Sequence, residues 1–393
     1  MSRPVSTALL LMSTLFAGTS FAASSSTAPV AASTSTAPVA FVYVTSGYIA
    51  HGKIYGFAAA PDGRLTPTPY SPYLAEVVNL VANGKYLFAS GNSGVPNIIY
   101  SYSIGPHGYL TQVATTDVGN FPVSGDPWAT ELILDHSGTS LYPFIYDYDT
   151  GNNAYMSLKV ASTTGKLTFL SETPESGYYG TPLTFIGNNS LAYEGSCNEI
   201  LGFRRESNGS LVKINVGTPF PTAPAGDTYC ASNPSADPTN HLAIPVKTSG
   251  SQNSGEVQIA SYTVDTYNGN LTTTSTYKNM PKVAVAGASA STGGVGDVTT
   301  TSMSPSGKLL AVGGSTGLQI FHFNGANPAT VDTGALTTDA IYQVFWDKAN
   351  HLYAVSTSAN KLFVFTVTPT SAVQAPGSPY SIPNAGPLVV LPR

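Results

Sequence analysis

Charge is what this chain has least of. Charged side chains make up 9 % of its 393 residues, 21 acidic and 16 basic, against roughly 25 % in an ordinary soluble domain. That scarcity argues against a coiled coil, a disordered acidic tail or a basic nucleic-acid surface. The formal net charge of −5 gives no electrostatic pull toward phosphate backbones or anionic membranes. Cysteine is nearly absent, with Cys197 and Cys230 the only two. Beyond Arg3, arginine is confined to Arg64, Arg204, Arg205 and Arg393. There is no Gly-x-Ser-x-Gly elbow, no phosphate-binding glycine loop and no His-Glu-x-x-His pair. No uncharged stretch reaches the roughly 20 apolar residues of a membrane span.

What is abundant points to strands and tight turns. Glycine numbers 38, proline 29, tyrosine 23 and phenylalanine 16, a mixture that suits short strands joined by reversals and suits helical bundles poorly. Arg3, the apolar run from Ala8 to Ala17 and the small residues ending in Ser20-Phe21-Ala22 read as a secretory signal peptide over residues 1–22. Residues 23–39, ASSSTAPVAASTSTAPV, offer nothing to pack as a core and read as a flexible linker. A secreted or periplasmic protein is expected, one that does not span the membrane.

From residue 40 onward one motif recurs. Its leading apolar residue stands at Val42, Leu87, Leu141, Leu191, Leu242, Leu310 and Leu352, reading VYVT, LFAS, LYPF, LAYE, LAIP, LAVG and LYAV. An apolar run precedes six of the copies, and an aromatic alternating strand follows each, as in KIYGF, IIYSYSI and LQIFHF. A fourth segment often begins at Gly-x-Leu-Thr, as at Gly63, Gly108, Gly165 and Gly269. Four antiparallel strands repeated at this length make a propeller blade. The first copy lacks its leading run, and the orphan strand Gly386-Pro387-Leu388-Val389-Val390-Leu391-Pro392 supplies it. The expected fold is all-β: a seven-bladed β-propeller over residues 40–393, its ring closed by the C-terminal strand.

These motifs resemble the lactonase-like propellers, the phosphogluconolactonase and carboxymuconate-lactonising type with YVTN-like repeats. The resemblance covers nearly all of residues 40–393 and implies an active or binding site at one mouth of the central channel. In enzymatic members His, Glu and Arg handle a lactone and its carboxylate there. This chain departs from that pattern. Arg204 and Arg205 close the third strand of blade four and should point to the opposite end. His107, His136, His241 and His351 fall in turns, and His322 alternates within a strand. His51 alone is left for the functional face.

Counting back from each motif, Asp126 and Asp227 fall 15 residues ahead, and Asp297 and Asp339 fall 13 ahead. Four carboxylates thus take near-equivalent places around one mouth, as a ligand site or as oxygen ligands for a divalent cation; an Asx-turn is the structural alternative. Glu194 and the pair Asp147 and Asp149 lie at or after second strands, near the same opening. Cys197 and Cys230 fall on this face in adjacent blades, and in an oxidising compartment they are expected to form a disulfide. The expectation is therefore a monomeric exported scaffold that binds a small molecule or an extracellular protein or glycan at this mouth. The alternative is a lactone hydrolase or lactonising enzyme acting on a sugar-acid or aryl lactone, in which Glu194 or one of the aspartates activates water and His51 assists.

Overall fold

The computed structural model describes residues 37–47, 52–91, 97–122, 127–147, 152–175, 182–197, 199–217, 220–249, 256–286 and 298–393. The expected leader and most of the linker lie outside them. Residues 37–393 form one compact unit, built of seven antiparallel sheets with four main strands each.

The second blade comprises Val77–Ala82, Tyr86–Gly91, Ile98–Ile104 and Leu110–Asp117, and the third Pro127–Leu134, Ser140–Asp147, Asn153–Val160 and Leu167–Glu175. The fourth holds Thr184–Phe185, Leu191–Gly195, Ile200–Arg205 and Leu211–Ile214. The fifth begins with a divided inner strand, Thr228–Ala231 and Ser235–Ala236, followed by His241–Ser249, Val257–Val264 and Leu271–Thr272. The sixth runs Val298–Met303, Leu309–Gly314, Gly317–Asn324 and Asn327–Val331, the seventh Gln343–Trp346, His351–Ser356, Lys361–Thr368 and Ser371–Gln374. The break in blade five has a local cause: Asn233 takes a φ of 42°, and Pro234 has no amide proton to give a ladder.

Ring closure is as the repeat predicts. The C-terminal strand Ala385–Pro392 pairs with Ala40–Ser46, which continues into Lys53–Ala59 and Leu65–Pro67 to complete the first blade. Each recurring motif is a second strand, buried on both faces between neighbouring blades. That burial explains why the motif is continuously apolar while the outer strands alternate.

The blades are joined by a repeated side-chain bond. The tyrosine after the motif's leading residue, or its equivalent, reaches into the next blade. Tyr43, Tyr142 and Tyr193 each donate their hydroxyl to the carbonyl of Gly108, Gly209 and Gly269 at 2.8 Å. Those glycines have φ of 78°, 100° and 86°, a conformation in which a side chain is disfavoured, and they open the Gly-x-Leu turns seen in the sequence. In blade two the position is Phe88, which has no hydroxyl. Its cross-strand neighbour Ser101 takes over and donates to Gly165 at 2.9 Å.

Two outcomes test this architecture. Removing residues 386–393 strips blade one of its inner strand, and differential scanning calorimetry should then show no native-like transition; an unchanged transition would mean the ring is closed otherwise. Tyr142→Phe leaves the Gly209 carbonyl without its donor and should cost about 1–2 kcal/mol in urea denaturation.

Candidate functional site

The seven inner strands enclose a central cavity of about 720 Å³. Strand register identifies equivalent wall positions. Ala82, Leu134, Ala236, Met303 and Trp346 each pair with the leading residue of their blade's motif. Three residues earlier stand Asn79, Glu131, Asn233, Thr300 and Gln343, all on the cavity wall.

Polar residues at or beside this level bind one blade to the next. Asn79 Nδ2 donates to the Thr130 carbonyl at 3.0 Å, Asn233 Nδ2 to the Val298 carbonyl at 3.0 Å, and Leu388 N–H donates to Gln343 Oε1 at 2.8 Å. In blade four Thr184 donates to the Pro234 carbonyl at 2.6 Å, and in blade six the Thr299 hydroxyl donates to the Ile341 carbonyl. The seam between blades three and four differs. There the wall position is Glu131, whose carboxyl has no hydrogen-bond partner among the described residues. An ionised carboxylate cannot donate to a carbonyl as its amide and hydroxyl counterparts do.

Glu131 belongs to a cross-strand row with Phe144 and Tyr155, which places the three on one face of blade three, the face turned toward blade four. Across the seam lie Leu183, Leu201 and Phe203, packed in one apolar cluster with Phe144 and Tyr155. Burial here pushes the Glu131 carboxyl up to about 7 from an ordinary 4.5, because the charged form loses its water.

Glu194, on the second strand of blade four, enters the same cluster and is 0 % exposed. Tyr155 Oη donates to its Oε2 at 2.8 Å, while its Oε1 is buried with no partner among the described residues. Burial first, then the nearby Glu175 and Glu131 charges, raise it to about 8, against the opposing pull of the Tyr155 hydrogen bond and Lys213. At the outer end Glu175, 5 % exposed, pairs with Lys213 at 3.4 Å. At the far end of the seam Asp135 pairs with Arg205 at 2.8 Å and accepts from Ser137 and the Ser140 amide.

Of the mouth residues singled out from sequence, Asp227, Asp339 and Glu194 fall among the described residues with their side chains. His51, Asp126, Asp149 and Asp297 lie outside the described residues, as does the side chain of Asp147. Asp227 sits half-buried in a turn closed by its own N–H to the Pro224 carbonyl, and Asp339 forms an ion pair with Lys361 at 2.7 Å. Among the described residues no three His, Cys, Asp or Glu side chains are grouped to hold a metal ion. Glu194 is sealed in the seam rather than open to the mouth. Arg205 stands at the opposite end, as expected. His241 and His351 open second strands and cap them through Asp237 and Asp347, at 3.1 and 2.7 Å. Cys197 and Cys230 are bonded and join the loop after the second strand of blade four to the inner strand of blade five.

Glu131 was not a candidate on sequence. Within TELILD it reads as one polar residue in an inner strand; only aligning the blades by register sets it beside Asn79, Asn233 and Gln343.

Among solved structures the fold is shared with phosphogluconolactonase-like seven-bladed propellers. A protein from Lactobacillus plantarum is 16 % identical, with 90 % of this chain and 99 % of that one covered and a TM-score of 0.64. A candidate 6-phosphogluconolactonase from Bacteroides fragilis is 14 % identical over 90 % and 98 % of the two chains, and one from Bacteroides uniformis is 14 % identical over 90 % and 100 %, each with a TM-score of 0.64. No family model and no curated protein matches the sequence. At these identities the likeness is one of architecture.

The seam makes stability depend on pH in a defined direction. Above pH 4.5 the unfolded chain ionises both carboxyls, while the folded chain retains the Glu131 proton up to about pH 7 and the Glu194 proton up to about pH 8, so the native state loses stability as pH rises through that window. Thermal unfolding should give a lower Tm at pH 8 than at pH 5.5. Glu194→Gln should raise the Tm at pH 8 by several degrees and flatten the slope; a variant with the parent's slope would show that the carboxyl ionises normally.

Proposed function

We propose that this protein hydrolyses an uncharged lactone of the sugar-acid class in its central channel, with Glu131 as the base that activates water. The observation that carries this reading is a half-buried carboxyl on the channel wall, free of hydrogen-bond partners among the described residues and raised to about 7. A group with that proton affinity is populated in both forms near neutral pH and can accept and return a proton in one cycle. The architecture shared with candidate 6-phosphogluconolactonases supports the reaction class.

The chemistry then runs through residues of this chain. The Glu131 carboxylate takes a proton from water as the oxygen attacks the lactone carbonyl. The tetrahedral adduct collapses by breaking the ring C–O bond, and the protonated Glu131 returns its proton to the departing alkoxide. The product is the open hydroxy acid. Asn79, Asn233 and Gln343 hold the inner strands through backbone bonds and keep the wall rigid, while Tyr342, Phe345 and Phe185 give apolar surface against which a sugar ring can pack.

The described lining holds no lysine or arginine, so a phosphate or second carboxylate on the substrate would meet no counter-charge. This is the reason for an uncharged lactone rather than a phosphorylated one. It also answers the difficulty raised by the sequence, where the missing arginine favoured a binding scaffold: a neutral lactone needs no arginine to hold it. We further infer export, with the mature chain beginning after Ala22, in keeping with the bonded Cys197 and Cys230.

Hydrolysis of an unphosphorylated aldono-lactone, followed by proton release in weak buffer, should exceed that of its 6-phosphate. Glu131→Gln should lower kcat about 100-fold or more with little change in KM. Saturable lactone binding without turnover by the parent protein would return the weight to a binding scaffold.

A further inference from the structure

We propose that Glu194 and Tyr155 are positioning residues for Glu131, a buried neutral carboxyl and its phenol that back the channel-wall carboxylate so that the seam carries one negative charge instead of two. The inference rests on the reading of Glu131 as the base, and it comes from a count of charges in the seam between blades three and four.

Among the described residues, four carboxyls and two cations meet at that seam. Arg205 is committed to Asp135 at 2.8 Å, and Lys213 to Glu175 at 3.4 Å. The remaining pair, Glu131 and Glu194, has no cation within ion-pair distance among the described residues, and each stands in register with a member of the apolar cluster, Glu131 with Phe144 and Glu194 with Leu201. Two uncompensated anions in such surroundings repel and forfeit hydration. Position decides which keeps its proton. Glu131 retains access to the channel, whereas Glu194 is 0 % exposed.

The hydrogen bonding of Glu194 agrees. Among the described residues its one donor is Tyr155 Oη at 2.8 Å on Oε2, and Oε1 has no partner there. An ionised carboxylate has about four acceptor sites to satisfy, so a single hydrogen bond would leave it far short. The phenol is itself fixed, with edge contacts to Phe144 and Phe203 at ring separations of 5.2 and 5.4 Å. Phe144 pairs in register with Glu131 on one side and with Tyr155 on the other, so it links the Glu194–Tyr155 unit to the strand that carries Glu131.

Infrared titration of the carboxyl bands between pH 5 and 9, alongside the pH profile of kcat/KM, tests this directly. The parent protein should show two carboxyls titrating above pH 6. Glu194→Gln, which mimics the neutral acid, should show one and leave the Glu131 step within about half a pH unit. Glu131→Gln should move the Glu194 step downward, because a neighbouring charge has gone. Tyr155→Phe should move it upward, since the lost hydrogen bond favoured the anion. A parent protein in which only one carboxyl titrates above pH 6, or a Glu194→Gln profile displaced by a full unit, would overturn the proposal. Two titrating carboxyls without lactone turnover would sink the proposed reaction and leave the charge arrangement standing; turnover with a single step would do the reverse.

Discussion

The ring stands on hydrogen bonds that cross from one blade to the next. A propeller has no helix to brace it and no single core. Its apolar contacts form separate clusters between successive sheets, and apolar contact alone does not fix how far one sheet slides against another. The tyrosine hydroxyl on a left-handed glycine carbonyl supplies that fix at the outer side of three seams, and Ser101 supplies it at a fourth. The angular setting of neighbouring sheets, and with it the width of the channel, follows from these directional bonds between buried groups, which are costly to leave unmade.

A second circle of bonds works at the channel wall, and its interruption is where chemistry becomes available. Asn79, Thr184, Asn233, Thr299 and Gln343 spend their polar groups on the backbone of the next blade, which rigidifies the wall and leaves them little to offer a ligand. At the seam between blades three and four the wall position is Glu131, which makes no such bond among the described residues. Its freedom and its raised proton affinity have the same origin, since the seam that gives it no donor also strips part of its hydration. Sites that depart from the local rule of a repeat are where function is expected to be found.

The repeat was legible because of burial. Second strands lie between two sheets, so Val42, Leu87, Leu141 and their counterparts must be apolar on both faces and stand out as a pattern. The orphan strand at Leu388 declared ring closure for the same reason. The disulfide was legible too, because an antiparallel four-strand blade puts the end of a second strand and the start of the next inner strand on one face. The four aspartates were chosen by counting residues through loops of unequal length, and such counting says nothing about where a side chain ends. Asp339 turns to Lys361, and Asp227 sits in a turn closed by its own amide. Glu194 was expected near the mouth because it ends a second strand, yet strand alternation turns it inward against Tyr155.

What the amino-acid order determined by itself is the blade: four strands, their turns, their number and their closure. All of these follow from local preference and from period-two burial, which act over a few residues. What only the tertiary structure decided is the electrostatic character of the seam between blades three and four. The proton affinity of Glu131 comes from burial in a seam whose far side holds Leu183 and Phe203, 52 and 72 positions away, and that of Glu194 from burial beside Tyr155, 39 positions away, all brought together by the packing of one blade on the next. Desolvation and charge pairing act through space, and no reading of neighbours along the sequence contains them.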